Sequence, residues 1–330
     1  MSLDLSLLCA AAITLALSFY VLLDGFDLGV GALLLTTKNE TWRNTMVASV
    51  APTWDGNETW LIMAAVALLG GFPIAYGVLL PAVYLPVLVM LMALGCRGVS
   101  FEFRVQPLAR TGLWDRAFAW GSIIAALCQG IVVGALLTGV NVVDGRFAGS
   151  VLDLLRPFPL LMGLVLLAGY VTLGAAWVAF RTTGSVRLHA QRWLRGIIPV
   201  FALLAVLAVA FAAAVQPGIG DRWELLGNLF VFLGLGFLVA LVLAHRAVVH
   251  RDDAVPFLYV VLAFVFALIG LVAVIYPDAV PFRISLREAA SPPGSQLFLL
   301  VGIALVMPVV LGYSAFAYYV FRGKVSGHEP

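Results

Sequence analysis

The sequence predicts an all-α protein that crosses a membrane many times, and three observations carry that prediction. Of 330 residues, 63% are hydrophobic and only 11% are charged, with a mean hydropathy of +1.07. A soluble domain is about 45–50% apolar and about 25% charged. The apolar residues fall into runs near the ~20 residues that cross a bilayer as a helix. The Lys and Arg residues crowd into alternate connections between those runs. No stretch remains for a soluble unit, so residues 1–330 read as a single integral membrane domain. A net charge of +2, with no basic block longer than two residues, gives no footprint for nucleic acid.

Nine spans are expected, at about 5–35, 57–76, 77–98, 116–140, 157–180, 197–216, 224–245, 255–276 and 295–321. Spans two and three meet in a tight turn near Pro73 to Gly77. The seventh starts close after Pro217-Gly218-Ile219-Gly220. Met1-Ser2-Leu3-Asp4 lacks the positive stretch that opens a signal peptide, so the first span is expected to be retained.

Nineteen Lys and Arg residues then fix an orientation. With the N-terminus outside, only Arg146, Arg156, Arg222, Arg283 and Arg287 lie in outer connections. The other fourteen, Arg110 and Arg251 among them, lie on the inner side. The C-terminus is therefore expected inside. The segment Arg181–Arg195, with Val186, Trp193 and Leu194, is expected along the inner headgroup region. Trp42, Trp114, Trp193 and Trp223 near span ends fit interfacial belts. Asn39 and Asn57 sit in Asn-x-Thr strings, but this topology keeps both inside, which rules out glycosylation.

The first span carries Leu23-Asp24-Gly25-Phe26-Asp27-Leu28-Gly29-Val30-Gly31. Each Asp at a helix centre costs about 2.5–3.5 kcal/mol on insertion scales, so two of them need interior partners or water. Spaced three apart, Asp24 and Asp27 share a helix face. Gly25 and Gly29 form a small-xxx-small pair that admits a close neighbouring helix. The span reads as a central element with a polar face turned into protein.

Ala51-Pro52-Thr53-Trp54-Asp55-Gly56-Asn57-Glu58-Thr59-Trp60 opens the second span. Asp55 and Glu58 have the spacing of a capping box. They also form a cluster expected to adjoin Asp24 and Asp27 and to supply the mouth of a proton path. After the third span, Glu102 lies between Arg97 and Arg104, and local ion pairing among the three is expected.

The four histidines, His189, His245, His250 and His328, all fall in or beside inner connections or the tail. A buried b-type haem usually takes an axial His. The chain by itself is therefore expected to bind no haem. Cys9, Cys96 and Cys128 lie scattered in apolar segments and read as packing residues, with no metal site.

The two motifs around Asp24 and Asp55, with Arg97-Gly98-Val99-Ser100-Phe101-Glu102-Phe103-Arg104, closely resemble subunit II of cytochrome bd-type quinol oxidases. Ser285-Leu286-Arg287-Glu288-Ala289-Ala290-Ser291-Pro292-Pro293 resembles the short, cyanide-insensitive branch. The resemblance covers the whole chain. It implies two four-helix bundles plus a peripheral helix in a bacterial cytoplasmic (inner) membrane. It implies a haem-bearing subunit I that carries two haem b, one haem d and the quinol site, and attendant small single-span subunits. The complex oxidises quinol and reduces dioxygen to water with cytoplasmic protons.

By the same resemblance, this chain holds no catalytic residue and no metal. Asp24 and Asp55 lie on a proton route near the subunit interface, with Asp27 and Glu58 as further candidates. Trp54 and Trp60 are candidates for an oxygen route or the interface. A structural quinone and membrane lipid are candidate ligands. Many relatives carry Gln at the position of Glu58. The competing readings are a proton-coupled secondary transporter and a scaffold subunit without a proton role. No internal repeat supports the first.

Overall fold

The structure, a computed structural model, describes residues 4–104, 106, 111–250 and 252–326. Arg110, Arg251 and His328 lie outside the described residues, as do Met1 to Leu3.

The chain folds into helices α1 (Leu5–Leu33), α2 (Glu40–Ala48), α3 (Trp54–Gly71), α4 (Pro73–Arg104), α5 (Thr111–Leu137) and α6 (Pro157–Arg181). They are followed by α7 (Gly184–Val215), α8 (Pro217–Val249), α9 (Val255–Ile275), α10 (Leu286–Ala289) and α11 (Pro293–Val320). Among the described residues, eight helices are long and apolar enough to cross a membrane: α1, α4 to α9, and α11. Helix α3, expected as the second span, has 18 residues, but Asp55, Asn57 and Glu58 in its first turns dilute its apolarity. It runs antiparallel to α1: Asn57 meets Leu23 and Asp27, and Gly71 meets Cys9.

Helix α1 is central. It begins at a cap, where Asp4 accepts from the Leu7 amide, and its second half is buried from Asp24 to Leu33. Helices α3, α5 and α6 pack around it, α4 packs on α5, α7 on α6, and α8 on α9. Helix α11 lies outermost, against α1 and α3. The glycines of α1 make this packing feasible. A Cβ on Gly29 would overlap the Tyr170 carbonyl of α6, and one on Gly25 would stand 2.6 Å from the Tyr170 ring. This is the close approach that the small-xxx-small pattern implies.

Two short hairpins, Val142–Val143 with Arg146–Phe147 and Asp278–Val280 with Ile284–Ser285, lie at the end of the bundle where α1 begins. The opposite end, where α1 and α11 terminate, holds α2 and the tail. There Thr182 bridges Val325, Arg181 donates to the Phe321 carbonyl, and Asp253 pairs with both Arg187 and Lys324.

Several boundaries differ from expectation. Only Phe72 separates α3 from α4, because Pro73 can start a helix at once, its missing N–H being no loss in the first turn. Helix α4 continues to Arg104 through Pro81 and Pro86, with a kink at Val83. The basic segment spans the junction of two helices. Arg181 ends α6, and Arg187, Arg192 and Arg195 lie in the first turns of α7, which runs unbroken to Val215. Pro217 to Trp223 is likewise the start of α8, kinked at Leu226.

Candidate functional site

Asp24 and Asp27 are both fully buried on the face of α1 that looks toward α3 and α4. Helix α4 brings Arg97 to them. Gly121 of α5 allows this, since a Cβ there would lie 2.7 Å from the Ala93 carbonyl, one turn before Arg97. The Arg97 guanidinium, 0% exposed, donates from Nη1 to Asp24 Oδ1 at 2.6 Å and from Nη2 to Glu58 Oε2 at 2.8 Å. Trp54 lies beneath it, with its ring centroid 5.9 Å from Cζ, and stacks on Phe101.

Asp27 is held differently. Its Oδ2 accepts from Asn57 Nδ2 at 2.8 Å, and the same nitrogen donates to the Leu23 carbonyl. Asn57 Oδ1 in turn accepts from the Tyr318 hydroxyl of α11 at 2.9 Å. Asp24 Oδ2, Asp27 Oδ1 and Arg97 Nε have no partner among the described residues. One guanidinium thus faces three carboxyls: Asp24, Asp27 and Glu58.

The polar chain continues away from the acids. The Tyr20 hydroxyl stands beside Asp24 and accepts from Gln129 Nε2 at 2.7 Å. Tyr170 donates to Gln129 Oε1 at 2.8 Å. All three are buried, in α1, α5 and α6.

Asp55 does not join the cluster. It is exposed in the first turn of α3, on a cleft of about 320 Å³ lined by Thr53, Asn57, Tyr313, Ala317 and Tyr318. Asn57 stands between that cleft and Asp27. The expected capping box is absent: Thr53 is the N-cap and makes no side-chain cap bond, while Glu58 is drawn away to Arg97. The stronger charge-assisted bond to a buried guanidinium prevails over a cap.

The expected pairing of Glu102 with Arg97 and Arg104 is also corrected. Glu102 is exposed and makes no ion pair among the described residues. Its neighbours turn inward instead, because each finds a buried carboxylate. Arg97 takes Asp24, and Arg104 takes Asp115 of α5 at 2.6 Å, where Arg43 adds a second contact at 3.1 Å. Trp60 is fully buried against Phe19, Ala16 and Ala64, and its Nε1 has no partner among the described residues.

Among the described residues, no three His, Cys, Asp or Glu side chains come together where they could hold a metal ion. His189, His245 and His250 lie within about two turns of a helix terminus at the end where α11 finishes. Asn57, Tyr20, Gln129, Tyr170 and Tyr318 went unassigned from sequence. The signal was present only as isolated amides and hydroxyls in apolar spans.

Fold and cluster define a multi-span helical membrane protein with a fully buried guanidinium shared by intramembrane acids. Residues 5–321 match the family model described as cytochrome bd terminal oxidase subunit II, and the chain belongs to that family. It is a subunit of a bd-type quinol oxidase, an oxidoreductase complex, which removes the transporter alternative.

The chain is 28% identical over 321 residues to cytochrome bd ubiquinol oxidase subunit 2 of Bacillus subtilis (strain 168), covering 94% of each chain. It is 28% identical over 368 residues to cytochrome bd-I ubiquinol oxidase subunit 2 of Escherichia coli (strain K12), covering 94% of this chain and 92% of the relative. A chain in the structure of bd oxidase from Geobacillus thermodenitrificans shares the fold. Its TM-score is 0.77, with 15% identity and coverage of 97% of this chain and 99% of that one.

Proposed function

We propose that this chain is the haem-free subunit of its oxidase and carries protons toward a haem-bearing partner that reduces dioxygen. The observation that carries the proposal is the hydrogen-bonded link Tyr318–Asn57–Asp27, which joins the cleft at Asp55 to the buried acids. Asp55 gathers protons at the rim. Asn57 and Tyr318 form the passage, and Asp27, Asp24 and Glu58 share the inner site with Arg97. One cation that also pairs with the partly exposed Glu58 cannot offset the two fully buried carboxylates of Asp24 and Asp27, so the cluster works with an exchangeable proton. The unpartnered oxygens of Asp24 and Asp27 are the sites where that proton or a relay water engages.

In this reading nine helices cross the membrane, α3 included. Helices α1, α3, α4 and α5 form one four-helix bundle, α6 to α9 form the other, and α11 is peripheral. The packing of α1 on α3 and α5 and of α4 on α5 in the first, and of α6 on α7 and α8 on α9 in the second, supports that division. The N-terminus lies outside and the C-terminus in the cytoplasm, which the Lys and Arg distribution supports. Two haem b and one haem d belong to the partner subunit. Trp54 serves the cluster as the platform under Arg97, and Trp60 is assigned to the apolar interior that dioxygen crosses. Small single-span subunits, quinol, dioxygen, lipid and a structural quinone complete the proposed set of partners.

The test is Asp24→Asn in the purified complex, read as oxygen consumption per haem d. Turnover is expected to fall at least about tenfold, equal to about 1.4 kcal/mol of barrier, with haem content retained. Wild-type turnover per haem d would remove Asp24 as an obligatory carrier.

A further inference from the structure

The first turns of α7 carry a second polar feature, remote from the acid cluster. Leu188, Gln191, Arg192 and Arg195 line a cleft of about 440 Å³. Gln191 is 3% exposed, yet its amide nitrogen has no hydrogen-bond acceptor among the described residues. Leaving a buried donor unmet costs about 1–3 kcal/mol. Arg195 is pinned by a bond from Nη2 to the Val248 carbonyl at 3.1 Å, which fixes its guanidinium at the cleft. Arg192 is exposed and makes no hydrogen bond or ion pair among the described residues. Among the described residues, no carboxylate lines the cleft. Arg187, one turn earlier, is already paired with Asp253.

Two guanidiniums and an unmet amide donor line the same cleft, a donor set and charge that match a phosphate. The same helix face supplies the rest of the ligand. At 100° per residue, Arg192 and Arg195 share their face with Pro199, Leu203 and Val206. All three are exposed, Leu203 at 60% and Val206 at 48%. Exposed Trp193 marks the interfacial depth. A charged cleft at the head of an apolar stripe is the shape of a lipid.

We infer that this cleft binds the phosphate of an anionic phospholipid, whose acyl chain lies along Pro199, Leu203 and Val206. A zwitterionic lipid is disfavoured, because its ammonium finds two guanidiniums and no acid. Free phosphate fits the head of the site but leaves the stripe unused. The inference does not depend on which side of the membrane this end of α7 faces.

The test uses the whole purified oxidase, stripped of lipid and titrated with phosphatidylglycerol or phosphatidylcholine, with retained lipids counted by native mass spectrometry. Wild type is expected to hold one phosphatidylglycerol at least tenfold more tightly than phosphatidylcholine. The pair Arg192→Gln/Arg195→Gln is expected to lose that preference. Gln191→Leu, which keeps the packing and removes the donor, is expected to weaken it several-fold. This variant decides the matter if the double variant does not assemble. Equal retention of the two lipids by wild type, or unchanged retention in Gln191→Leu, overturns the inference. Displacement of the lipid by millimolar inorganic phosphate also overturns it, by making free phosphate the ligand.

Discussion

The Arg97 guanidinium of α4 reaches the Asp24 carboxylate of α1 across 2.6 Å, with neither side chain touching solvent. Removing Arg97 alone leaves buried acids without their cation and costs about 3–5 kcal/mol, whereas removing both partners can be nearly neutral; Asp24→Asn, by contrast, leaves the guanidinium its bond to Glu58. Arg97→Met is therefore expected to cut the amount of assembled, haem-loaded complex in membranes severely. Asp24→Leu/Arg97→Met is expected to recover much of the assembly but not the turnover. Haem spectra of membranes, followed by oxygen consumption per haem d, separate the two effects. Equal assembly in all three proteins would show that the pair carries no structural weight.

Asn57 links the cleft to Asp27, bonding Tyr318 on one side and the Asp27 carboxylate on the other. Asn57→Leu keeps its bulk and removes all three of its side-chain hydrogen bonds, to Asp27, to the Leu23 carbonyl and from Tyr318. Turnover per haem d is expected to fall at least about tenfold, or about 1.4 kcal/mol. Tyr318→Phe, which loses only the hydroxyl, is expected to fall less. Unchanged rates in both variants would place the proton passage elsewhere.

Gly29 touches the α6 backbone, and a side chain there overlaps the Tyr170 carbonyl. Overpacking typically costs about 1–3 kcal/mol, and backbone contact leaves no room for relaxation. Gly29→Val is expected to lower the thermal midpoint of the complex by several degrees or to prevent assembly. Gly77→Ala meets nothing within 4 Å and sits inside α4, so it is expected to be neutral or slightly stabilising. Fluorescence-detected thermal denaturation compares them.

Asp253 fastens the tail to the start of α7. Its carboxyl is held below the usual carboxylate range chiefly by the hydrogen bond from Lys324, which outweighs the opposing effect of desolvation, with the charge of Arg187 adding to the lowering. A depressed folded-state value means that the contribution is present above the ordinary carboxylate pKa of about 3.9 and is lost as pH falls through the folded value. The clasp is expected to hold at neutral pH and to let go only in strong acid. Asp253→Asn is expected to make the Lys324–Val325 bond several-fold more sensitive to trypsin at pH 7.5. Cleavage at the wild-type rate would show that the Thr182–Val325 bridge suffices alone.

A C-terminal alkaline phosphatase fusion is expected to be inactive, because the tail lies at the end where α1 and α11 finish, richest in Lys and Arg. High activity would indicate the reverse orientation or an even number of crossings.

The acids of α1 were legible because charge inside an apolar run of some thirty residues has few explanations. Their partners were less so. Arg97 has Glu102 and Arg104 close by in sequence, so local pairing was the natural expectation. Its real partners come from α1 and α3, and only the packing of Gly121 against α4 aims it there. Gln129 and Tyr170 are single polar residues in apolar helices. Nothing in their spacing distinguishes a network member from a side chain that bonds its own backbone. The length of α7 was missed because hydropathy marks where lipid begins, whereas a helix ends only where something breaks it. Between Gly184 and Val215 the candidates are Gly196 and Pro199, and the helix accommodates both.

The 73 residues between Asp24 and Arg97 also set an order of events during biosynthesis. At about 5–20 residues per second, the ribosome delivers Arg97 roughly 4–15 s after Asp24. Asn57, the first neighbour able to satisfy Asp27, comes earlier. For that interval α1 is a membrane segment with two acids and no counter-ion. It must wait beside the insertion machinery, or at the protein–lipid boundary, until α3 and α4 arrive. The helix at the centre of the finished bundle is thus the one least able to enter lipid by itself. Appended alone to a reporter, α1 should insert poorly, and the segment from α1 through α4 should insert well.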